Sequence, residues 1–150
     1  MDNKNLNEEV LAALRQIVRA MSIHSKSLVK HYGLTFPQLL ILQELSHTNQ
    51  ISIGEIARRI SLSQATVTDI LDRLETKNLI IRTRNNLDRR QVLIKITPKA
   101  KDIISKNPSL LQEEFLAEFN KLQKWEQHLI LSSVERIASM MKTKKYLKIK

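Results

Sequence analysis

Cysteine is absent from the chain, which removes disulfide frameworks, thiol redox sensing, thiolate nucleophiles and Cys-liganded zinc together. Glycine is nearly absent: Gly33 and Gly54 are the two. Neither lies in G-x-G-x-x-G or G-x-x-x-x-G-K-[ST], so the chain has no backbone cradle for a dinucleotide or a nucleoside triphosphate. Long apolar runs are missing too. Leu39-Leu40-Ile41-Leu42 typifies the runs present, against the roughly 20 residues that cross a bilayer. The opening stretch from Met1 to Glu9 is polar and bears acids, where a secretory signal needs a basic segment followed by an apolar one. A cytoplasmic protein with no membrane partner is expected. The histidines His24, His31, His47 and His128 are scattered, without H-x-x-x-H or H-E-x-x-H spacing, so no metal site and no cofactor are expected.

What the chain has in excess is positive charge: 25 Lys and Arg against 15 Asp and Glu in 150 residues, a formal +10. Such a balance favours a polyanionic partner. With 42% hydrophobic residues the chain can fill a core, and residues 1–150 are read as a single domain.

Apolar residues spaced by threes and fours from Val10 through Leu14, Ile17, Val18, Met21, Leu28 and Tyr32 describe one long helix that Gly33 ends. Thr35 and Gln38 form a capping box for a second helix reaching about Ser46, and His47 to Gln50 is a polar turn. Ser52 and Glu55 open a third, with Ile53, Ile56, Ala57 and Ile60 inward. After the tight link Ser61-Leu62-Ser63, Ser63 caps a fourth with Val67, Ile70, Leu71 and Leu74 inward. Two short helices joined this way are a helix-turn-helix. The β-branched runs Leu79 to Arg84 and Gln91 to Ile96, separated by the polar tip Asn85 to Arg90, make a hairpin. Thr97-Pro98 caps a further helix, Asn107-Pro108 interrupts it, Ser109 to Phe119 resumes it, and a last helix runs from about Lys124 to Met141 before a lysine-rich tail, Lys142 to Lys150.

The fold class is therefore mainly α with a small β-hairpin wing. A winged helix-turn-helix over 35–97 is flanked by long N- and C-terminal dimerisation helices over 5–33 and 98–145. The apolar surplus of the flanking helices implies an intertwined homodimer, with Leu6, Val10, Leu110, Leu111, Phe115, Ile137 and Met140 as interface candidates.

In a winged helix the start of the second helix enters the major groove, where Ser63, Gln64, Ala65, Thr66 and Thr68 offer hydroxyl, amide and methyl groups to base edges. On the hairpin Arg82, Arg84, Arg89 and Arg90 are opposed by Asp88 alone, a pattern suited to the negative minor groove, with Asp88 holding Arg90 in position. Asp69, Asp72 and Glu75 recur every third residue. Read as spread around the helix beside Arg73 and Lys77, they make no magnesium site, and no enzyme is expected. The alternative to a sequence-specific regulator is a winged-helix module for protein interaction or non-specific, architectural DNA binding.

The segments Ser52 to Ala57, Leu62 to Thr68, Leu71 to Glu75, Leu79-Ile80 and Asp88-Arg89-Arg90 through Ile96-Thr97 resemble the MarR family of bacterial transcriptional regulators. The resemblance implies a triangular homodimer on pseudo-palindromic double-stranded DNA, usually repressing by occluding a promoter. By it, Ser63, Gln64, Thr66 and Thr68 match base-reading or phosphate positions, Arg73 a backbone contact, and Asp88 with Arg90 the wing pair. Arg84 and Arg89 join them on charge and position. The family's cysteine-based peroxide sensors are excluded. Many relatives bind a small phenolic or anionic effector, and His24, Ser27, His31 and Tyr32 lie where such a crevice would form. Within the family, Leu62 to Glu75 and Trp125 to Met141 look most like regulators of compatible-solute genes, those for osmolytes such as ectoine or glycine betaine.

Overall fold

Four of the helices start where the sequence supplies a capping oxygen. In a computed structural model, which describes residues 3–48 and 50–142, α1 (Asn3–Tyr32) ends where Gly33 takes φ +68° and donates its N–H to Val29 O at 2.9 Å. Only glycine adopts that left-handed turn without a Cβ penalty. α2 (Phe36–Ser46) opens on the expected capping box, Thr35 Oγ1 accepting from Gln38 N and Gln38 Oε1 accepting from Thr35 N. Ser52 and Ser63 cap α3 (Ile53–Ile60) and α4 (Gln64–Thr76), accepting from Glu55 N at 3.2 Å and Thr66 N at 3.1 Å. Ser61, at φ 56°, turns the chain between them. Thr97 caps α5 (Pro98–Ser105), with Pro98 in the first turn.

The sheet departs from the expected two-stranded hairpin. β1 (Ile51–Ser52) is a third strand, and the order is β1-β3-β2 with both pairings antiparallel. β2 (Ile80–Arg84) and β3 (Val92–Ile96) pair from Ile80↔Ile96 to Arg84↔Val92, and Ile51 sits opposite Ile94. Two residues are too few to display a strand period, and Ser52 doubles as the cap of α3, so its chain signal is that of a helix start.

A second departure follows α5. The expected helix from Ser109 begins instead at Glu113, with α6 (Glu113–Lys121) followed by α7 (Lys124–Met141). The intervening segment is held by tertiary bonds: Gln43 Nε2 donates to Pro108 O at 2.7 Å, and His24 Nε2 lies 2.9 Å from Ser109 O. Ser109 Oγ also accepts from Leu111 N. Each of these uses a backbone group in a non-helical conformation.

The chain forms two compact units, residues 1–111 and 112–150. In the first, α2 is the central post. Its Leu39, Ile41, Leu42 and Leu45 are fully buried, and it packs against α3, α4, α5 and β3. Ile56 from α3, Val67, Leu71 and Leu74 from α4, Ile80 and Ile94 from the sheet and Ala100 from α5 complete this core. Burial of each large aliphatic side chain is worth about 1.5–3 kcal/mol. In the second unit α6 and α7 bury no residue, and Trp125, Leu129 and Met140 are all more than half exposed. The lysine-rich tail beyond Lys142 lies outside the described residues.

Candidate nucleic-acid interface

α4 presents its amino-terminal end to solvent because its apolar residues are spent on the other side. Val67, Leu71 and Leu74 face the core, which leaves Ser63, Gln64, Ala65 and Thr66 exposed, and no acid stands in the first turn. The unpaired N–H groups there carry the positive end of the helix dipole. Ser63 Oγ is committed as the cap and lies 2.8 Å from Thr66 Oγ1. Thr68 is half-buried and its hydroxyl donates to Gln64 O at 2.8 Å, which leaves acceptor lone pairs and the methyl group for other contacts. Gln64 lies close against the start of α3: a Cβ on Gly54 would come within 3.2 Å of its Nε2. A side chain at 54 would therefore have to displace the Gln64 amide by a few tenths of an ångström. Arg73 is exposed near the other end of α4 and makes no ion pair with any described residue.

The wing tip is a tied knuckle. Asn85 N donates to Gln91 O and Gln91 N to Asp88 O, each at 3.0 Å. Leu87 N donates to Asn85 Oδ1, and Asn85 Nδ2 to Gln91 Oε1 at 3.1 Å. Asp88 Oδ1 accepts from the Arg90 backbone N–H at 3.0 Å. Asp88 therefore meets Arg90 through its main chain. Among the described residues Arg84, Arg89 and Arg90 have no acidic partner, and all three are exposed.

Arg82 departs from the expected basic wing. Its guanidinium reaches Glu75 and Asp72 of α4 and is 23% exposed. Of the acids expected to spread around α4, Asp72 and Glu75 thus share one side, because residues three apart on a helix are only about 60° apart in projection.

Of the four residues expected around an effector, Ser27, His31 and Tyr32 lie together near the end of α1, and His24 reaches toward Ser109. His24 is tied to Ser109 O, while His31 Nδ1 lies 2.8 Å from Ser27 O and 3.3 Å from Ser27 Oγ on its own helix. Tyr32 packs on the core, with its ring 6.5 Å from that of His31. An open depression of α1, lined by Ser22, Ser25, Lys26 and Val29, contains none of them. Among the described residues no group of three His, Asp or Glu is placed to hold a metal ion. No described helix is long and apolar enough to cross a membrane.

The MarR family model matches residues 34–92, from the end of the Gly33 turn to the first residue of β3. The HTH-type transcriptional regulator SarZ of Staphylococcus epidermidis is 34% identical over 102 residues, which span 68% of each chain. The HTH-type transcriptional regulator MgrA of Staphylococcus aureus is 31% identical over 132 residues, 81% of this chain and 89% of that one.

The chain belongs to the MarR family. As a MarR protein it is similar in fold to a MepR-like protein solved with pseudoligands, at TM-score 0.72 and 25% identity over 89% of this chain and 94% of that one. It is likewise similar to the Staphylococcus aureus MepR–DNA complex, at TM-score 0.74 and 21% identity over 87% and 96% of the two chains. The mainly helical winged architecture expected from the sequence is thereby established. Its relatives are transcriptional regulators, and that membership makes this MarR chain a regulator and not an enzyme.

Three features of this MarR site are not legible in the sequence alone: the approach of Gln64 to Gly54, the Asn85 and Asp88 turns at the wing tip, and the pairing of Arg82 with α4. For Arg82 a partial signal existed. It stands two residues from buried Ile80, on the same face of the strand.

Proposed function

We propose that this protein is a homodimeric, sequence-specific DNA-binding regulator that represses transcription from a pseudo-palindromic operator. The observation that carries the reading is a capped, acid-free helix start exposing Gln64, Ala65 and Thr66, in one unit with a hairpin whose Arg84, Arg89 and Arg90 have no acidic partner among the described residues. In this reading Ser63, Gln64, Thr66 and Thr68 meet bases or phosphates, Arg73 a backbone phosphate, and the wing arginines the minor groove. Residues 35–97 form the DNA-binding part, and the flanking helices form the dimerisation part. Supporting the dimer, α1 leaves Leu6, Val10, Ile17 and Val18 exposed, and α7 leaves Trp125, Leu129 and Val134 exposed. Apolar faces of that extent require cover, and a second copy of the same helices supplies it. The protein acts in the cytoplasm. Its targets are compatible-solute genes, a reading supported by the runs Leu62 to Glu75 and Trp125 to Met141.

The test is selection from a random duplex library followed by anisotropy titration at several salt concentrations. An inverted repeat with half-sites about one helical turn apart, bound at least about 10³-fold more tightly than scrambled DNA, is expected. Occurrence of that repeat upstream of osmolyte genes tests the target class. Weak, salt-sensitive binding to every duplex would return the chain to an architectural or protein-directed role.

A further inference from the structure

One of the four wing arginines turns inward. The pleat of β2 places Arg82 on the side of buried Ile80, toward α4, where Nη1 donates to Glu75 Oε2 at 2.7 Å and Nη2 lies 2.7 Å from Asp72 Oδ1. The first contact is a full hydrogen bond. The second is a charge contact whose angles fall outside hydrogen-bond geometry. Asp72 and Glu75 stand one turn apart on α4, so a single planar guanidinium spans both, which a lysine ammonium cannot do rigidly. At the root of the wing, Leu79 N donates to Leu74 O at 3.0 Å, and Ile80 and Ile94 hold the base of the hairpin in the core beside Leu71 and Leu74. Arg82, three residues beyond Leu79, adds a polar tie from β2 to α4 to that apolar base.

We propose that the Asp72–Arg82–Glu75 bracket is a positioning device that sets the angle between recognition helix and wing. It thereby sets the offset along the duplex between the bases read by α4 and the minor-groove stretch entered by Arg84, Arg89 and Arg90. The inference rests on the DNA-binding reading above and adds the register of its two halves. It also accounts for two acids on a helix whose partner is a polyanion. Left unpaired they would only repel the phosphates; paired, they hold an arginine that fixes the wing.

Simple electrostatics and positioning predict opposite signs. Removing the two acids takes negative charge from the DNA-facing unit and releases Arg82, so a charge-only account predicts tighter binding. Positioning predicts looser and less discriminating binding. The full-length protein is titrated by anisotropy against its selected operator, a scrambled duplex, and operators whose flanking A/T tract is moved by one base pair. Asp72→Asn with Glu75→Gln is expected to lose about tenfold on the operator, hold or gain on scrambled DNA, and bind original and shifted operators alike. Arg82→Gln is expected to show the same loss with an unchanged salt slope, and Arg82→Lys an intermediate one. Asp72→Asn alone, at a more exposed position, supplies the measurement if the double variant does not fold. Operator affinity equal to or above wild type with the offset preference intact would overturn the bracket. So would a salt slope lowered by about 0.9 in Arg82→Gln, the mark of a direct phosphate contact. If the wild-type protein discriminates no sequence, the regulator reading fails and the bracket's role falls with it; failure of the variants alone removes only the bracket.

Discussion

Gln64 and Arg90 divide the proposed recognition between a base reader and a groove anchor. Gln64 carries an amide able to pair bidentately with adenine, and its position against Gly54 limits where that amide can go. Gln64→Ala is expected to relax preference at one base position by about 1–3 kcal/mol, with other positions unchanged, when single-base operator variants are titrated. A uniform loss would make Gln64 a backbone contact. Arg90→Ala is expected to weaken binding to all sequences by about 1–3 kcal/mol and lower the salt slope by about 1. Asp88 separates the two accounts of the wing tip, because asparagine keeps the Oδ1 that accepts from the Arg90 N–H. Asp88→Asn is therefore expected to retain or raise affinity, since a negative charge leaves the groove, whereas Asp88→Ala loses the turn and lowers it. If both variants weaken binding equally, the side-chain pair is the operative contact.

Among the elements, the short helices depend most on their ends, since few turns share the cost of nucleation. Ser63→Ala removes the oxygen that accepts from Thr66 N and is expected to cost about 0.5–2 kcal/mol of unfolding free energy by denaturant titration. On α3, Glu55 accepts hydrogen bonds from Arg58 and Arg59, Arg59 Nε at 3.1 Å. The Arg58 bond first, then the Arg59 bond, hold its carboxyl below the ordinary value of 4.5. A carboxylate so lowered in the folded state contributes stability fully above that value and loses it as pH falls through the lowered one. The melting-temperature gap between wild type and Glu55→Gln is therefore expected to close in acid, and a gap constant with pH would assign the effect to packing. Caps, helix order and hairpin were legible in the chain because each rests on a few adjacent residues. β1 and the start of α6 were not, because pairing with Leu93 and Ile94 and tethers from Gln43 and His24 come from residues distant in sequence.

At the scale of the molecule, the contrast is between a closed core in residues 1–111 and the bare apolar faces of α1 and α7. Leu71→Ala, in fully buried surroundings, is expected to cost about 2–5 kcal/mol and to lower operator binding only through loss of folded protein. Val18→Lys together with Leu129→Lys is expected to do the reverse. Both side chains are more than half exposed, so the unfolding transition of the winged unit stays in place. The mass by light scattering is expected to fall from that of the proposed dimer, twice 17.4 kDa, to a single copy, and affinity for the inverted repeat to drop toward that of one half-site. A wild-type mass of one chain at micromolar concentration would refute the dimer.

The order of helices, their caps, the hairpin and the basic, cysteine-free character followed from the sequence alone, since propensity, capping and charge act within a few residues of one another. Only the tertiary structure decided which polar groups remain available to a partner. Arg82 left the basic wing for Asp72 and Glu75, and His24 found a backbone partner in Ser109 O. A side chain's charge is written in its residue type, but whether that charge is already answered depends on what another segment brings within hydrogen-bond reach.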